Sequence, residues 1–229
     1  MNPPKLVVFD VDNTLTFTGK VDTECFLGTL AEKFGFKNIN SDWSRYKNVT
    51  AASILDQIFV EQTGKHPKRK ELQAMADGFL ENIRKKAASN PEMFLEVPGA
   101  REMMTELLKL KDFAVAIATG SFSASSAYKL EVAQVPFDSA VLASGFDCLT
   151  REELLDGAVQ KAKAKYGVSN FSAIVSVGDG LWDLKAAEAT GIPFIGVGNK
   201  KQLDEYSVEH WVENFLDKDE FFELLKKLS

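Results

Sequence analysis

Asp10 and Asp12 stand one residue apart at the end of the apolar run Leu6 to Phe9, in the stretch KLVVFDVDNTLT. Two carboxylates in such a place repel each other and are costly to desolvate unless something pairs with them. Asp and Asn also end strands and open turns, so this stretch alone fits a turn as well as a reactive site. Two other stretches share its form: FAVAIATG ends in Thr119 and Gly120, and SAIVSVGDGLWD ends in Gly178, Asp179 and Asp183. In an open parallel sheet, ligands gather beyond the carboxyl ends of the strands. If these three strands lie in one such sheet, Asp10, Asp12, Asp179 and Asp183 crowd a volume in which four carboxylates cannot all stay ionised without a cation. A hard oxygen-liganded cation, Mg²⁺ above all, relieves the repulsion. It also attracts a phosphate, whose oxygens Thr119 and the backbone amides around Val11 and Gly120 are placed to hold.

The elements that must position these residues follow from periodicity. Between residues 17 and 92 the pattern is helical, with Phe26, Leu27, Leu30 and Phe34 at three- and four-residue steps. Thr50 is a plausible N-cap for AASILDQIFVEQTG, and Pro67 opens a long helix that ends near Asn90 and Pro91. The second half alternates: a helix with Met103, Met104, Leu107 and Leu108 on one face, the strand FAVAIATG, a helix over SASSAYKLEVAQV, the strand SAVLAS, the helix REELLDGAVQKAKAKYG, the strand SAIVSVGDG, the helix LWDLKAAEATG, the strand PFIGVG and a closing amphipathic helix. Such alternation predicts an α/β fold with a doubly wound parallel sheet. The expected domains are an α/β core over residues 1–16 and 93–229 and an inserted helical unit over 17–92, joined through FTGK and SNPE. Joints of this length would let the insertion move against the core.

Composition narrows the classes of function. A net charge of -6 over 229 residues disfavours a nucleic-acid surface. No stretch approaches a membrane span and Met1 to Pro4 has no leader pattern, so no membrane partner and a cytoplasmic location are expected. Two cysteines, Cys25 and Cys148, are too few for a disulfide scaffold or zinc module. His66 lies in the polar TGKHPKRK and His210 beside a late strand, which leaves acid-base chemistry to carboxylates.

With Asp10-x-Asp12-x-Thr14, a strand ending in Thr119, and Gly178-Asp179-x-x-x-Asp183 in that order, the sequence resembles the haloacid dehalogenase superfamily of phosphohydrolases. The helical insertion resembles the cap of its phosphoglycolate phosphatase and β-phosphoglucomutase branch. The resemblance implies a Rossmann-like core and a Mg²⁺-dependent phosphatase acting on a small phosphorylated metabolite. Asp10 would be the nucleophile that forms an aspartyl-phosphate, and Asp12 the general acid and base. Asp10, the backbone carbonyl of Asp12, and Asp179 would hold the metal, with Asp183 as ligand or support. Thr14 would steady the loop. The family usually carries a Lys at the start of the helix before the Gly-Asp turn; Arg151 stands there here, while Lys161 and Lys163 lie deeper in that helix.

Substrate selection is expected in the cap. There Trp43, Arg45, Tyr46, Thr50 and Ser53 suit either a small polar ligand or cap packing. A phosphomutase of the β-phosphoglucomutase type would use the same motifs. A non-catalytic phosphate-binding or receiver-like protein would share the acids but would not need the insertion.

Overall fold

The computed structural model describes residues 3–228; Met1, Asn2 and Ser229, at the ends of the expected core, lie outside the described residues. Among the described residues the strands are β1 (Lys5–Phe9), β2 (Phe113–Thr119), β3 (Leu142–Ser144), β4 (Ile174–Gly178), β5 (Phe194–Val197) and β6 (Trp211–Val212). They form one sheet in the order β3-β2-β1-β4-β5-β6, every pairing parallel. The chain winds outward from β1 to β3, then crosses back to place β4 on the other side of β1. That reversal is the point in the sheet where ligand crevices open.

The helices are α1 (Gly19–Phe34), α2 (Ala51–Thr63), α3 (Arg69–Ser89), α4 (Ala100–Leu107), α5 (Ser123–Val132), α6 (Arg151–Tyr166), α7 (Leu181–Thr190), α8 (Lys200–Glu205) and α9 (Lys218–Lys227). Both faces of the sheet are covered, which is why its strands read as unbroken apolar runs. Val7 and Phe9 pack with Val115, Ile117, Met103, Met104 and Phe221 on one face, and Leu6 and Val8 pack with Ala116, Leu154 and Ala158 on the other. α1, α2 and α3 build a separate apolar cluster around Leu30, Leu55, Ile58, Met75 and Phe79, and the core's Phe122 inserts into it.

The elements differ from expectation in detail. SAVLAS starts as a 3-10 turn over Ser139–Val141, so β3 is only three residues long. Leu108 falls at the C-cap of α4 and is 41% exposed, while Met103, Met104 and Leu107 are fully buried as expected. α3 starts at Arg69, two residues after Pro67. β6 is the late strand expected beside His210, reduced to two residues, whereas α8 is not expected from the sequence because six residues carry little periodic signal. Among the described residues no helix is long and apolar enough to cross a membrane.

Candidate active site

Asp10 leaves β1 with its N–H donating to the Val177 carbonyl of β4 at 2.9 Å. The chain then turns tightly. The Val11 carbonyl accepts from the N–H groups of Leu15 and Thr16 at 2.9 and 3.0 Å, and Asn13 takes a positive φ of 60°. Asn tolerates that left-handed conformation better than most residues. The turn presents Asn13 Nδ2 and Thr14 Oγ1 to the two oxygens of Asp179, at 3.3 and 3.4 Å. Thr14 therefore steadies the acid of the neighbouring strand as well as its own loop.

Carboxylate oxygens of Asp10, Asp179 and Asp183 lie within 4.8 Å of one another. Asp183 is held in the first turn of α7, where its Oδ2 accepts from the Gly180 N–H at 3.2 Å. Arg151 is the first residue of α6, whose N-terminus is capped by Thr150 and Glu153. Its Nη1 is 2.9 Å from Asp183 Oδ1 and 3.5 Å from Asp10 Oδ1, and its Nε donates to the Val49 carbonyl at 2.6 Å. The guanidinium also lies 5.7 Å from the ring centre of Trp182. Gly120 has to be small here, because a Cβ would run into that guanidinium and stand 2.8 Å from the Val49 carbonyl. Lys161 is turned away and donates to the Leu142 carbonyl at 2.9 Å, and Lys163 contacts Asn170. At the end of β2, Thr119 Oγ1 shares a hydrogen bond of 3.2 Å with Ser126 Oγ and accepts from the Ser121 N–H.

Burial is the main influence on the acids. It pushes the Asp10 carboxyl well above the usual range; Asp183, Asp179 and Asp12 push it further, and Arg151 pulls it back. Asp179 rises to about 7, through burial and then the Asp183 charge. Burial also raises Asp183, against the pull of Arg151 and the Gly180 N–H. With one guanidinium among three carboxylates, two buried and one partly buried, the site is short of positive charge. A set of hard oxygen donors this close, destabilised when ionised together, fits a divalent cation such as Mg²⁺.

Asp12 is held apart from that cluster. Its two carboxylate oxygens accept from Lys129 Nζ at 2.7 and 2.6 Å, and Thr18 Oγ1 donates to it at 2.5 Å. The third Lys129 N–H reaches Asp22 Oδ1 on α1 at 2.5 Å, and Ser121 Oγ donates to the same oxygen at 3.1 Å. Lys129 is fully buried. Burial alone would lower its ammonium pKa, but Asp12 and Asp22 together hold it well above the usual value. Burial takes Asp22 up to about 6, against the pull of Lys129. Lys129 and Asp22 were not legible as site residues. The available signal was a single Lys on the α5 face that also carries Ser125 and Ser126, all three buried.

Asp10, Asp12, Thr119, Gly120, Arg151 and Asp179 line one cavity of about 180 Å³. Its roof comes from the helical block, through Asp22, Thr23, Phe26, Trp43 and Ile54. Val11 is buried beneath it, and Asp183 lines a smaller pocket on the other side of Asp10 and Arg151. Of the five residues expected to select a ligand, only Trp43 reaches the cavity. Tyr46 is packed with its hydroxyl on the Asn40 carbonyl, Thr50 caps α2 with Ser53 as the donor, and Arg45 is exposed.

A family model for haloacid dehalogenase-like hydrolases matches residues 4–191, and the chain belongs to that family. Searching curated proteins gives no significant match. Among solved structures, a hydrolase from Pseudomonas syringae is similar with a TM-score of 0.70 at 16% identity, over 100% of both chains. A HAD hydrolase of family IA, variant 3, from Entamoeba histolytica gives 0.68 at 18% identity, over 97% of this chain and 99% of the other. CbbY from Rhodobacter sphaeroides, solved in complex with phosphate, gives 0.64 at 16% identity, over 93% and 95%. At these identities the likeness is one of fold.

Two outcomes follow from the electrostatics. Lys129→Met leaves Asp12 and Asp22 facing each other without their shared cation, and breaking a buried pair in this way costs roughly 3–5 kcal/mol. Denaturant unfolding should show that loss, and Asp22→Asn in the same chain should recover part of it; a loss below about 1 kcal/mol would mean the acids find other partners. For Asp179, the folded value of about 7 lies above the ordinary 3.8. The folded state therefore binds more protons than the unfolded chain between those values, and stability falls as pH rises through that window. In chelator, Asp179→Asn should be more stable than wild type at about pH 8, by on the order of 1 kcal/mol or more, and should lose that advantage near pH 4. An advantage independent of pH would contradict the burial of an ionised Asp179.

Proposed function

We propose that the chain is a phosphomonoester hydrolase working through an aspartyl-phosphate on Asp10. The observation that carries this reading is the placement of Asp10 on the cavity wall with Arg151, Asp179 and Asp183 against it and Asp12 two residues on. In the first step an Asp10 oxygen attacks phosphorus, the bond to the ester oxygen breaks, and Asp12 gives that oxygen a proton. In the second, a water attacks the aspartyl-phosphate while Asp12 takes its proton, and inorganic phosphate leaves with Asp10 restored.

Thr119 Oγ1 and the amides of Val11 and Gly120 are the donors available to the phosphate oxygens at the two strand ends. Arg151, whose Nη1 faces both Asp10 and Asp183, offsets the repulsion between nucleophile and phosphate. Lys129 and Thr18 fix the direction of the Asp12 carboxylate. Asp10, Asp179 and Asp183, with the Asp12 carbonyl, would hold Mg²⁺, which when bound supplies positive charge for the phosphoryl oxygens. The helical block roofs the cavity, and movement at the two joints would close it over a substrate and keep bulk water from the aspartyl-phosphate. We take the cytoplasm as its place of action, where small phosphorylated metabolites are available to it.

Phosphate release from small phosphomonoesters should require Mg²⁺ and should vanish in Asp10→Asn. Arg151→Ala should lower kcat/KM by roughly 10²-fold, the scale of losing one charge-assisted contact to a reacting group, with Arg151→Lys retaining part of the rate. Lys161→Ala should be nearly silent, because its ammonium serves the Leu142 carbonyl. A crippled Lys161→Ala beside a silent Arg151→Ala would overturn the assignment of the second cation.

A further inference from the structure

The leaving-group end of the cavity is built differently from its phosphate end. Arg151 is the one cation among the described residues lining the cavity; its Nη1 and Nε serve Asp183, Asp10 and the Val49 carbonyl, which fixes it at the phosphate end. Lys129 lies behind the wall with all three N–H groups spent on Asp12 and Asp22. The roof has no second cation to offer. It presents Phe26, Trp43 and Ile54, with Phe26 and Trp43 packed edge to face at 5.5 Å. The Trp43 indole N–H is occupied by Thr23 Oγ1 at 3.0 Å, so Trp43 offers the cavity its ring. The charged group on that wall is an anion, Asp22, which shares its one cation with Asp12. Lys47 and Lys185 line another opening, of about 220 Å³, that meets this cavity only at Val49, Arg151 and Trp182.

We propose that the substrate is a compact monophosphate whose leaving group carries no second anionic group, and that Asp22 is the residue that rejects one. This deepens the hydrolase reading and rests on it for the position of the phosphate. A carboxylate or second phosphate beneath the roof would lose its water, meet no free donor with a positive charge and face Asp22. Juxtaposed like charges away from water cost several kcal/mol, and every ~1.4 kcal/mol is a factor of ten in specificity. An alcohol with an apolar face instead gains the Phe26, Trp43 and Ile54 surfaces, and its hydroxyls can use Thr23. A cavity of about 180 Å³ falls below the size usual for larger ligands. It therefore disfavours nucleotides. The same wall disfavours a mutase cycle, which needs both ends of a bisphosphate held in turn.

The test uses size-matched pairs with the full chain and Mg²⁺: glycerol 1-phosphate against 3-phosphoglycerate, and n-propyl phosphate against 3-(phosphonooxy)propanoate, the first of each pair being the neutral member in that its leaving alcohol carries no charge. The neutral member should have the higher kcat/KM by roughly 10²-fold or more, and Asp22→Asn should narrow that ratio several-fold. Calorimetric binding of the same pairs to Asp10→Asn protein reads the preference without turnover. Turnover that favours the anionic members, or a ratio unmoved in Asp22→Asn, would overturn the inference and leave the hydrolase reading standing. Preferential binding of the neutral members with no phosphate release from any would overturn the hydrolase reading and sustain the inference. Equal binding of both members would overturn the inference whatever the turnover.

Discussion

Repulsion among Asp10, Asp179 and Asp183 is the constraint around which the molecule is arranged. Three carboxylates within 4.8 Å of one another, two buried and one partly buried, are tolerable only with positive charge beside them. The sheet creates the problem, because β1 and β4 are parallel neighbours that end together at the reversal of strand order. α6 supplies part of the answer by starting at Arg151. A helix N-terminus is a poor place for a cation. The cost is offset by Glu152 and Glu153 in the same turn and by the ion pair with Asp183. The remaining shortage of charge suits the site to a divalent cation.

A second ion-pair group ties the helical block to this arrangement. Lys129 on α5 joins Asp12, in the loop after β1, to Asp22 of α1. Nearby, the Ala51 N–H at the start of α2 donates to the Gly120 carbonyl at 2.7 Å, the Ala52 N–H to Gly145 at 2.8 Å, and Arg151 to Val49. The N-terminal ends of α1 and α2 are thus fastened beside the strand ends that carry Asp10 and Thr119. The roof of the cavity and the chemistry beneath it share hydrogen-bonded groups, so a change in one is felt in the other.

How much was legible depended on the range of the interactions involved. The strands β1, β2 and β4 are continuous apolar runs, and the acids at their ends sit at fixed offsets, so Asp10, Asp12, Thr119, Asp179 and Asp183 could be placed from local pattern alone. Arg151 is reached through the resemblance, as the residue at the helix start where the family carries a Lys, and the structure brings it against Asp10 and Asp183. Lys129 and Asp22 could not be placed in this way. Their partners are more than a hundred residues apart in the chain, and nothing in the α5 pattern says which element faces Lys129. The segment from Asp42 to Ile54 shows the opposite difficulty. Its residue types suit a ligand, yet Tyr46, Thr50 and Ser53 are consumed by packing and capping, and the cavity wall takes Val49, Ala51 and Ile54 from the same stretch.

The most direct measurement is the location of the phosphoryl group during turnover. Protein mixed with Mg²⁺ and a turned-over phosphomonoester, quenched in acid within one turnover and digested, should yield a phosphorylated peptide containing Asp10 that forms and decays at rates compatible with phosphate release. Steady release with no phosphoryl group on the protein, or with the group on a residue other than Asp10, would contradict the role assigned to the strand-end aspartate.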